Sequence, residues 1–504
     1  MSVRMSSKQL RENAQLVLKD KKYAHHLQNV LSLIQDYDSN DVQPCILTLE
    51  MIFGELLRRR EVGKVCTSPE KSASFDTNYG FWLRQRYERT FTRLLIVLKK
   101  HSTASQLQAL STMMKLLALE GRYPLEDTPK GEFYFPVQRL QFIILALLSS
   151  EQNMTDPLIR FQEFTSYYDV LYFVWKMLPN IALSQKKPNE IFIKNFLLLI
   201  DKIPLPTEEE LKANSEMILC SPTGILDGPG FVLNMHYLRK WLNRTWGCVM
   251  HWDHTPTTHH QLLYVLLEKV LPYLDHPLLL TDFLMDSLDS GGAVGVLALQ
   301  GIFTLIQKHN LEYPNLFVKL YSMFEPEIFH TKYKARLFYL SDMFLSSTHL
   351  PENLVAAFAK RLARLTLVAP PQDILVILMF IGNLVLRHPG LKRLINHPTG
   401  GEVNGDPYIM DERDPLNSCA MESSLWEIQS LQNHILPSIA TAARFINSPL
   451  PSVEWDLTKI LEQTPDDIFV RELKKKAKEI ALTFDKPTSM EVPGGERLTH
   501  YWNF

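Results

Sequence analysis

Apolar helical stretches follow one another along most of this 504-residue chain, separated by short connectors that contain proline, glycine or asparagine. In the second half, seven such stretches each have the length of about three helical turns. Prolines lie in the gaps between them, where a missing N–H is tolerated. Strand patterns are scarce, so the sequence predicts an all-α fold. The seven predicted helices cover 262–271, 278–288, 296–306, 316–324, 336–345, 354–365 and 374–386.

The first 200 residues show the same pattern. Successive helical pairs of about 40 residues indicate a solenoid of the HEAT or armadillo type, although no internal sequence repeat is evident. The predicted helices of this part cover 9–18, 26–33, 46–57, 81–98, 107–119, 140–148 and 192–200.

Breaks in the helical pattern predict the domain limits. Prolines, glycines and a run of glutamates make 201–231 a predicted linker. It would join N-terminal helical repeats over 1–200 to C-terminal helical repeats over 232–446. Other segments without a helical pattern are predicted at 61–78, at 396–417 and in a C-terminal tail over 447–504, which carries one short helix near 466–480.

Composition argues against several classes of protein. Hydrophobic residues make up 46% of the chain and charged residues 21%, as in folded globular proteins. Lys and Arg number 53 against 55 Asp and Glu, so no whole-chain field favours nucleic acid or membrane. The five scattered cysteines form no CxxC pair and indicate a reducing compartment. The N-terminus lacks the apolar stretch of a secretory signal, so we expect the nucleus or cytosol.

Two apolar runs resemble membrane spans only superficially. The uncharged run over 290–307 contains several glycines and two glutamines, and the run over 374–386 has the length of a buried core helix. We therefore expect neither run to span a membrane, and association with the nuclear membrane is disfavoured.

The sequence offers no arrangement of residues for catalysis or for a cofactor. The glycines at 291, 292 and 295 lack the lysine and preceding strand of a phosphate-binding loop, and helix packing explains them better. The histidines at 251, 254, 259 and 260 lack the spacing of a zinc site. We expect a protein that is not an enzyme, with no metal, no cofactor and no small-molecule substrate.

Helix 354–365 is the first candidate for partner binding. Its alanines allow close helix approach, while Lys360, Arg361 and Arg364 cluster toward another face. The pattern predicts a packed helix with an exposed basic side. A solvated helix face without a partner is the alternative.

An acidic segment is the second candidate. Asp406, Asp411, Glu412 and Asp414 lack the spacing of a calcium-binding EF-hand loop, and Asp411, Glu412 and Asp414 are the candidate contact residues. Asp414 precedes Pro415, and the pair is typical of a helix cap followed by proline at the first helical position. Capping together with partner contact is the preferred interpretation.

The residues 406–437, DPYIMDERDPLNSCAMESSLWEIQSLQNHILP, carry a resemblance to a known family. The core from Glu422 to Glu427, with Trp426 inside it and His434 beyond it, resembles the signature of the CCAAT-binding-factor domain family of nucleolar assembly proteins. The resemblance extends over about 290–446. Since Leu425, Ile428 and Leu431 share neighbouring turns with Trp426, we expect the tryptophan to be buried and to anchor the helix. Glu422 and Glu427 are expected to face outward or to cap the turn, near the basic helix.

The resemblance implies a function. Members of this family are non-catalytic assembly factors of the small ribosomal subunit, so the chain is expected in the nucleus and nucleolus, within the small-subunit processome. Nucleolar protein 14 is the implied partner, alongside other processome proteins, and contact with pre-rRNA stays open. A regulatory protein that binds DNA or RNA directly is the alternative, although no reading module is recognisable.

Overall fold

The computed structural model describes residues 6–34, 42–62, 75–125, 133–207, 209, 217–221, 234–310, 313, 315–396 and 405–479. These residues form helices and connecting turns without any strand, and the prediction of an all-α helical repeat solenoid is confirmed. The chain divides into two compact units, Met1–Leu305 and Ile306–Phe504.

The first unit is a succession of helices joined by short connectors. The predicted helices all form, and three others form where none was predicted, over Thr155–Gln162, Tyr168–Ser184 and Met235–Val249. The helices are α1 (Ser7–Lys19), α2 (His25–Leu33), α3 (Val42–Arg58), α4 (Phe75–Lys100), α5 (Thr103–Arg122), α6 (Val137–Leu147), α7 (Thr155–Gln162), α8 (Tyr168–Ser184), α9 (Glu190–Lys202), α10 (Met235–Val249), α11 (Pro256–Val265) and α12 (Thr281–Asp289), and α13 (Gly292–His309) begins in this unit.

These helices form two layers. In the first layer α1 packs on α3, α3 on α5, α5 on α7, α7 on α9 and α9 on α11. In the second layer α4 packs on α6, α6 on α8 and α8 on α10. The layers meet where α5 contacts α4 and α6. Each helix therefore buries its apolar stripe against its neighbours, as repeat solenoids do.

Part of the predicted linker 201–231 is held against this first unit. The backbone N–H groups of Leu219 and Cys220 donate to the buried carboxylate of Asp169 on α8, at 3.1 and 2.9 Å. Cys220 lies so close to α5 that a Cβ at Gly121 would stand 2.5 Å from its Sγ. Residue 208 and the stretches 210–216 and 222–233 lie outside the described residues. The domain limits drawn from the sequence stay predictions.

Two local predictions need correction. Gly291 and Gly292 have φ angles of +65° and +59°, and nothing lies within 4 Å of a Cβ placed on either residue. They make the left-handed turn that starts α13, a conformation costly for other residues, and they do not mediate helix packing. The loop predicted at 61–78 is shorter than expected, because α4 begins at Phe75; residues 63–74 of that loop lie outside the described part.

The second unit is centred on two adjacent helices, α16 (Glu352–Leu365) and α17 (Pro371–Arg387), which pack against each other. Short 3₁₀ turns at Pro415–Asn417 and Ala420–Glu422 contact α16, while α19, α20 and α21 contact α17. All helices predicted in this part form. They are α14 (Leu316–Ser322), α15 (Lys334–Phe344), α16 (Glu352–Leu365), α17 (Pro371–Arg387), α18 (Trp426–Leu431), α19 (Pro437–Ala443), α20 (Leu457–Leu461) and α21 (Pro465–Glu479).

Across the residues with described placement, we find no helix with both the length and the apolar character that a membrane span requires.

Candidate partner-binding site

The predicted basic side of α16 is not exposed. From Leu354 to Leu365 the helix is buried on every side except at Arg364, which is half-buried. The side chain of Lys360 has 0% of its surface exposed and Arg361 has 8%. The prediction of an exposed basic face is therefore wrong for both residues, because the segment 405–431 covers that side of the helix.

Lys360 ends in a complete set of hydrogen-bond partners. Its Nζ donates to Oε1 and Oε2 of Glu427, at 2.7 and 2.9 Å, and to the carbonyl oxygen of Ser424 at 2.6 Å. The Oδ2 atom of Asp406 lies 2.9 Å away. Glu427 is also fully buried, so the prediction that it faces outward is wrong. A buried ammonium group is tolerated only with such compensation.

Asp406 supplies a second carboxylate beside Lys360 and accepts several hydrogen bonds. It accepts hydrogen bonds from Arg364 Nη2 at 2.6 Å and from Trp426 Nε1 at 2.8 Å. It also accepts from Ser423 Oγ and from the backbone N–H of Tyr408. Burial tends to raise its pKa, but the hydrogen bonds from Ser423, Lys360 and Trp426 outweigh burial and lower the pKa well below the ordinary Asp value.

The pKa of Glu427 shifts in the opposite direction. Burial raises its pKa above the ordinary Glu value, and the hydrogen bond and charge of Lys360 only partly oppose this effect. Arg364 approaches Oε1 of Glu427 with its Nε at 2.9 Å. We call Lys360, Arg364, Asp406, Trp426 and Glu427 the buried ionic cluster.

Trp426 lies over this cluster rather than in the apolar core. The residue is 39% exposed, so the prediction of a buried anchor is wrong. The cations of Lys360 and Arg364 lie 5.5 and 4.9 Å from the ring centroid, within the range of cation–π attraction. The helix α18 begins at Trp426, and its core contacts come from Ile428 and Leu431.

Arg361 joins the same covering segment to α14. Its Nε donates to the carbonyl oxygen of Phe324 at 2.7 Å and its Nη1 to that of Met410 at 2.9 Å. Its guanidinium lies 4.6 Å from the ring centroid of Tyr321, whose hydroxyl is 2.7 Å from that of Tyr408. Lys360 and Arg361 therefore hold the segment at two neighbouring points.

The acidic residues predicted for partner contact remain at the surface. Asp411 is exposed, and Glu412 and Asp414 are half-exposed. Asp414 accepts from the backbone N–H of Leu416 at 3.0 Å, with Pro415 at the first position of the following 3₁₀ turn, which confirms the predicted cap. The carboxylates that pair with α16 are Asp406 and Glu427 instead.

The other two signature residues lie apart from the cluster. Glu422 is exposed at the end of a 3₁₀ turn, as predicted. His434 accepts the backbone N–H of Leu436 on its Nδ1 at 3.1 Å, just before α19. Asp406 belongs to the acidic segment that the sequence indicated, but its pairing with Lys360 and Arg364 was not predicted, and Ser423 and Tyr408 were missed as its bonding partners. The sequence feature that could have identified these partners is the density of charged and hydroxyl residues directly before a short apolar helix.

Nothing in this geometry assembles a reactive group. Among the residues with described positions, no three His, Cys, Asp or Glu side chains come together as metal ligands. The histidines before and within α11 have other contacts: His254 Nε2 lies 2.9 Å from the carbonyl oxygen of Val249, and His259 Nε2 lies 3.0 Å from Ser287 Oγ.

Comparison with known proteins assigns the class. The family model described as the CBF/Mak21 family matches residues 295–443, which include α16, α17 and the buried ionic cluster. A second model, described as nucleolar complex protein 4-like TPR repeats, matches residues 4–187 in the two-layered helical array. The chain thus combines a helical repeat region with a CBF/Mak21 region.

Relatives of similar length identify the family more narrowly. Nucleolar complex protein 4 homolog A of Xenopus laevis is 38% identical over 91% of this chain and 89% of its own length. The Homo sapiens homolog is 36% identical over 92% and 91%, and the Saccharomyces cerevisiae protein is 29% identical over 92% and 89%. The chain belongs to the nucleolar complex protein 4 family. Membership implies a nucleolar location and a role in ribosome biogenesis, and the family is not a known enzyme family.

Removal of the Lys360 ammonium tests the buried ionic cluster. We expect Lys360→Ala to lower the free energy of unfolding by about 3–5 kcal/mol, because it leaves Glu427 buried without its main partner. Urea unfolding measures the change. Lys392→Ala, at an exposed position, is the control and should stay within about 0.5 kcal/mol of the parent. A cost below about 1 kcal/mol for Lys360→Ala would contradict the assignment.

The lowered pKa of Asp406 predicts a pH dependence. An unfolded Asp titrates near pH 3.9, so the ionised Asp406 stabilises the folded chain above that pH and loses its effect as pH falls toward the lower folded pKa. We therefore expect Asp406→Asn to be destabilising at pH 7, with the difference from the parent narrowing from about pH 5 downward. Unfolding at a series of pH values measures the difference. A constant difference down to pH 3 would contradict the prediction.

Proposed function

We propose that this chain is a non-catalytic assembly factor of the small ribosomal subunit, acting in the nucleolar small-subunit processome as a helical scaffold for nucleolar protein 14. The observation that carries the proposal is the similarity to nucleolar complex protein 4 homologues over more than nine-tenths of the chain. A helical repeat array supports it, because stacked helices offer a long surface for an extended partner.

The surface proposed for partner contact is the outer side of the segment held by the buried ionic cluster. It presents Asp411, Glu412 and Asp414 beside two exposed apolar side chains, Ile409 and Leu416. Apolar residues with a polar rim are typical of protein interfaces. Of the basic residues first considered, only Arg364 is accessible enough to contribute, since Lys360 and Arg361 are buried.

The rigidity of this surface supports the same role. The backbone N–H of Ile409 donates to the carbonyl oxygen of Ser418 at 3.1 Å, so the acidic turn is closed by its own main chain. Arg361 fixes the neighbouring carbonyl of Met410. A surface already ordered before binding loses less entropy when a partner docks.

Charge reversal on this surface tests the proposal. The variant is Asp411→Lys with Glu412→Lys and Asp414→Asn, since asparagine preserves the helix cap. We expect native melting but reduced recovery of nucleolar protein 14, because like charges facing each other across an interface cost several kcal/mol. Small-subunit rRNA precursors should accumulate in cells that carry only this variant. Affinity purification and precursor analysis are the two measurements.

A matched control changes the same number of charges elsewhere. Glu325→Lys, Glu327→Lys and Glu462→Gln act at exposed residues and should leave recovery and precursor levels unchanged. If the acidic-surface variant recovers nucleolar protein 14 like its parent, this surface is not the contact. If the parent chain itself fails to recover nucleolar protein 14, and its depletion spares small-subunit rRNA maturation, the proposed function is wrong.

A further inference from the structure

A continuous row of aromatic rings crosses the second helical layer of the first unit. Phe135, just before α6, stacks on Phe173 of α8 with centroids 4.3 Å apart. Phe173 is followed by Tyr172 at 5.1 Å, and Tyr172 meets Trp241 of α10 edge-on at 5.2 Å. Tyr237 stacks on Trp241 at 5.9 Å. We call these five residues the aromatic row.

The aromatic row reaches the surface instead of filling the core. Tyr237 is 49% exposed, and Tyr172, Phe173 and Trp241 are half-buried. On the same two helices, Trp175 and Trp246 are buried and supply the core packing. Only Phe135 of the row is fully covered. The row therefore leaves parts of four neighbouring rings open to solvent.

Positive charge accompanies these rings. Lys176 holds its Nζ 5.5 and 5.7 Å from the ring centroids of Tyr172 and Phe173. Lys240 and Arg244 are exposed and share one face of α10 with Tyr237, at helical spacings of three and seven residues. In the described part of the chain none of these three cations forms a salt bridge.

Negative charge is missing from the same helices. The sequences of α6 and α10 contain no Asp or Glu. The only carboxylate of α8 is Asp169, which is fully buried and bonded to the backbone of Leu219 and Cys220. The whole chain has 55 acidic residues against 53 basic ones, yet α6, α8 and α10, which are neighbours in the second layer, carry no exposed carboxylate.

From this combination we propose that the aromatic row and its three cations bind single-stranded RNA. Bases of any sequence stack on aromatic rings, and neighbouring cations attract the phosphates. Lysine is depleted at protein interfaces, whereas aromatic rings beside cations are the combination that binds single-stranded nucleic acid, so a protein ligand fits this surface less well. The choice of RNA over DNA rests on the proposed role in ribosome assembly.

Binding of the full-length chain to a fluorescein-labelled oligouridine of about 16 nucleotides tests the inference, since this probe lacks stable base pairing. Fluorescence anisotropy gives the affinity at several salt concentrations. Lys176→Glu with Lys240→Glu and Arg244→Glu should weaken binding at least tenfold. It should also reduce the slope of log affinity against log salt by about two, since each phosphate contact on a single strand contributes about 0.7.

Two further variants separate stacking from charge and from folding. Tyr237→Ala should weaken binding roughly fivefold or more, whereas Tyr237→Phe, which keeps the ring, should bind like the parent. Lys308→Glu with Lys392→Glu and Arg393→Glu makes the same charge change at exposed residues of the second unit and should retain affinity. Thermal melting of each variant checks that the fold is intact.

The outcomes are distinct. Loss of affinity in the row variants, retention in the controls and weaker binding to duplex RNA support the inference. Absence of binding by the parent chain, equal binding by the triple variant, or equal affinity for duplex and single strand overturns it. Loss of a co-purifying protein with unchanged RNA affinity would make the row a protein-docking surface and also overturn it. The triple variant should recover nucleolar protein 14 normally. If the RNA inference fails, the proposed function is therefore not affected and is decided by its own experiment.

Discussion

The salt bridge between Lys360 and Glu427 is the interaction on which the second unit depends. Two opposite charges with 0% of either side chain exposed cannot be left unpaired without a large desolvation cost. Their bonds fix the segment 405–431 on α16, and Asp406, Arg364 and Trp426 close the cluster toward solvent. The segment that carries the family signature therefore has a structural role: it attaches a loop to a buried helix.

This attachment separates two roles, holding the segment in place and contacting a partner. The residues that look most suited to charge recognition, Lys360 and Arg361, are used inside the molecule. What they position outward is the acidic turn with Asp411, Glu412 and Asp414. In the first unit the division is similar: Asp169 bonds inside the unit. Among the described residues, the exposed cations of α8 and α10 form no salt bridge.

The sequence predicts the helices well where apolar residues recur at helical spacing and prolines mark the ends, as in α16 and α17. It does not predict α8, which contains Pro179 and many aromatic and β-branched residues. It also does not predict α10, because basic and aromatic residues interrupt the apolar spacing of that helix. It placed Lys360 and Glu427 at the surface because charge is normally solvated. Their burial depends on a contact between positions 67 residues apart, which no local pattern encodes.

Hydrogen exchange of the native chain tests the central claim, that segment 405–431 is an integral part of the second unit. The backbone N–H groups of Ile409 and Leu425 bond to the carbonyl oxygens of Ser418 and Leu394. We expect these two amides to be protected to nearly the same free energy as the amides in the middle of α16, because they should open only when the buried ionic cluster is disrupted. Rapid exchange of both amides beside a protected α16 would show that the segment opens independently, and would contradict the account.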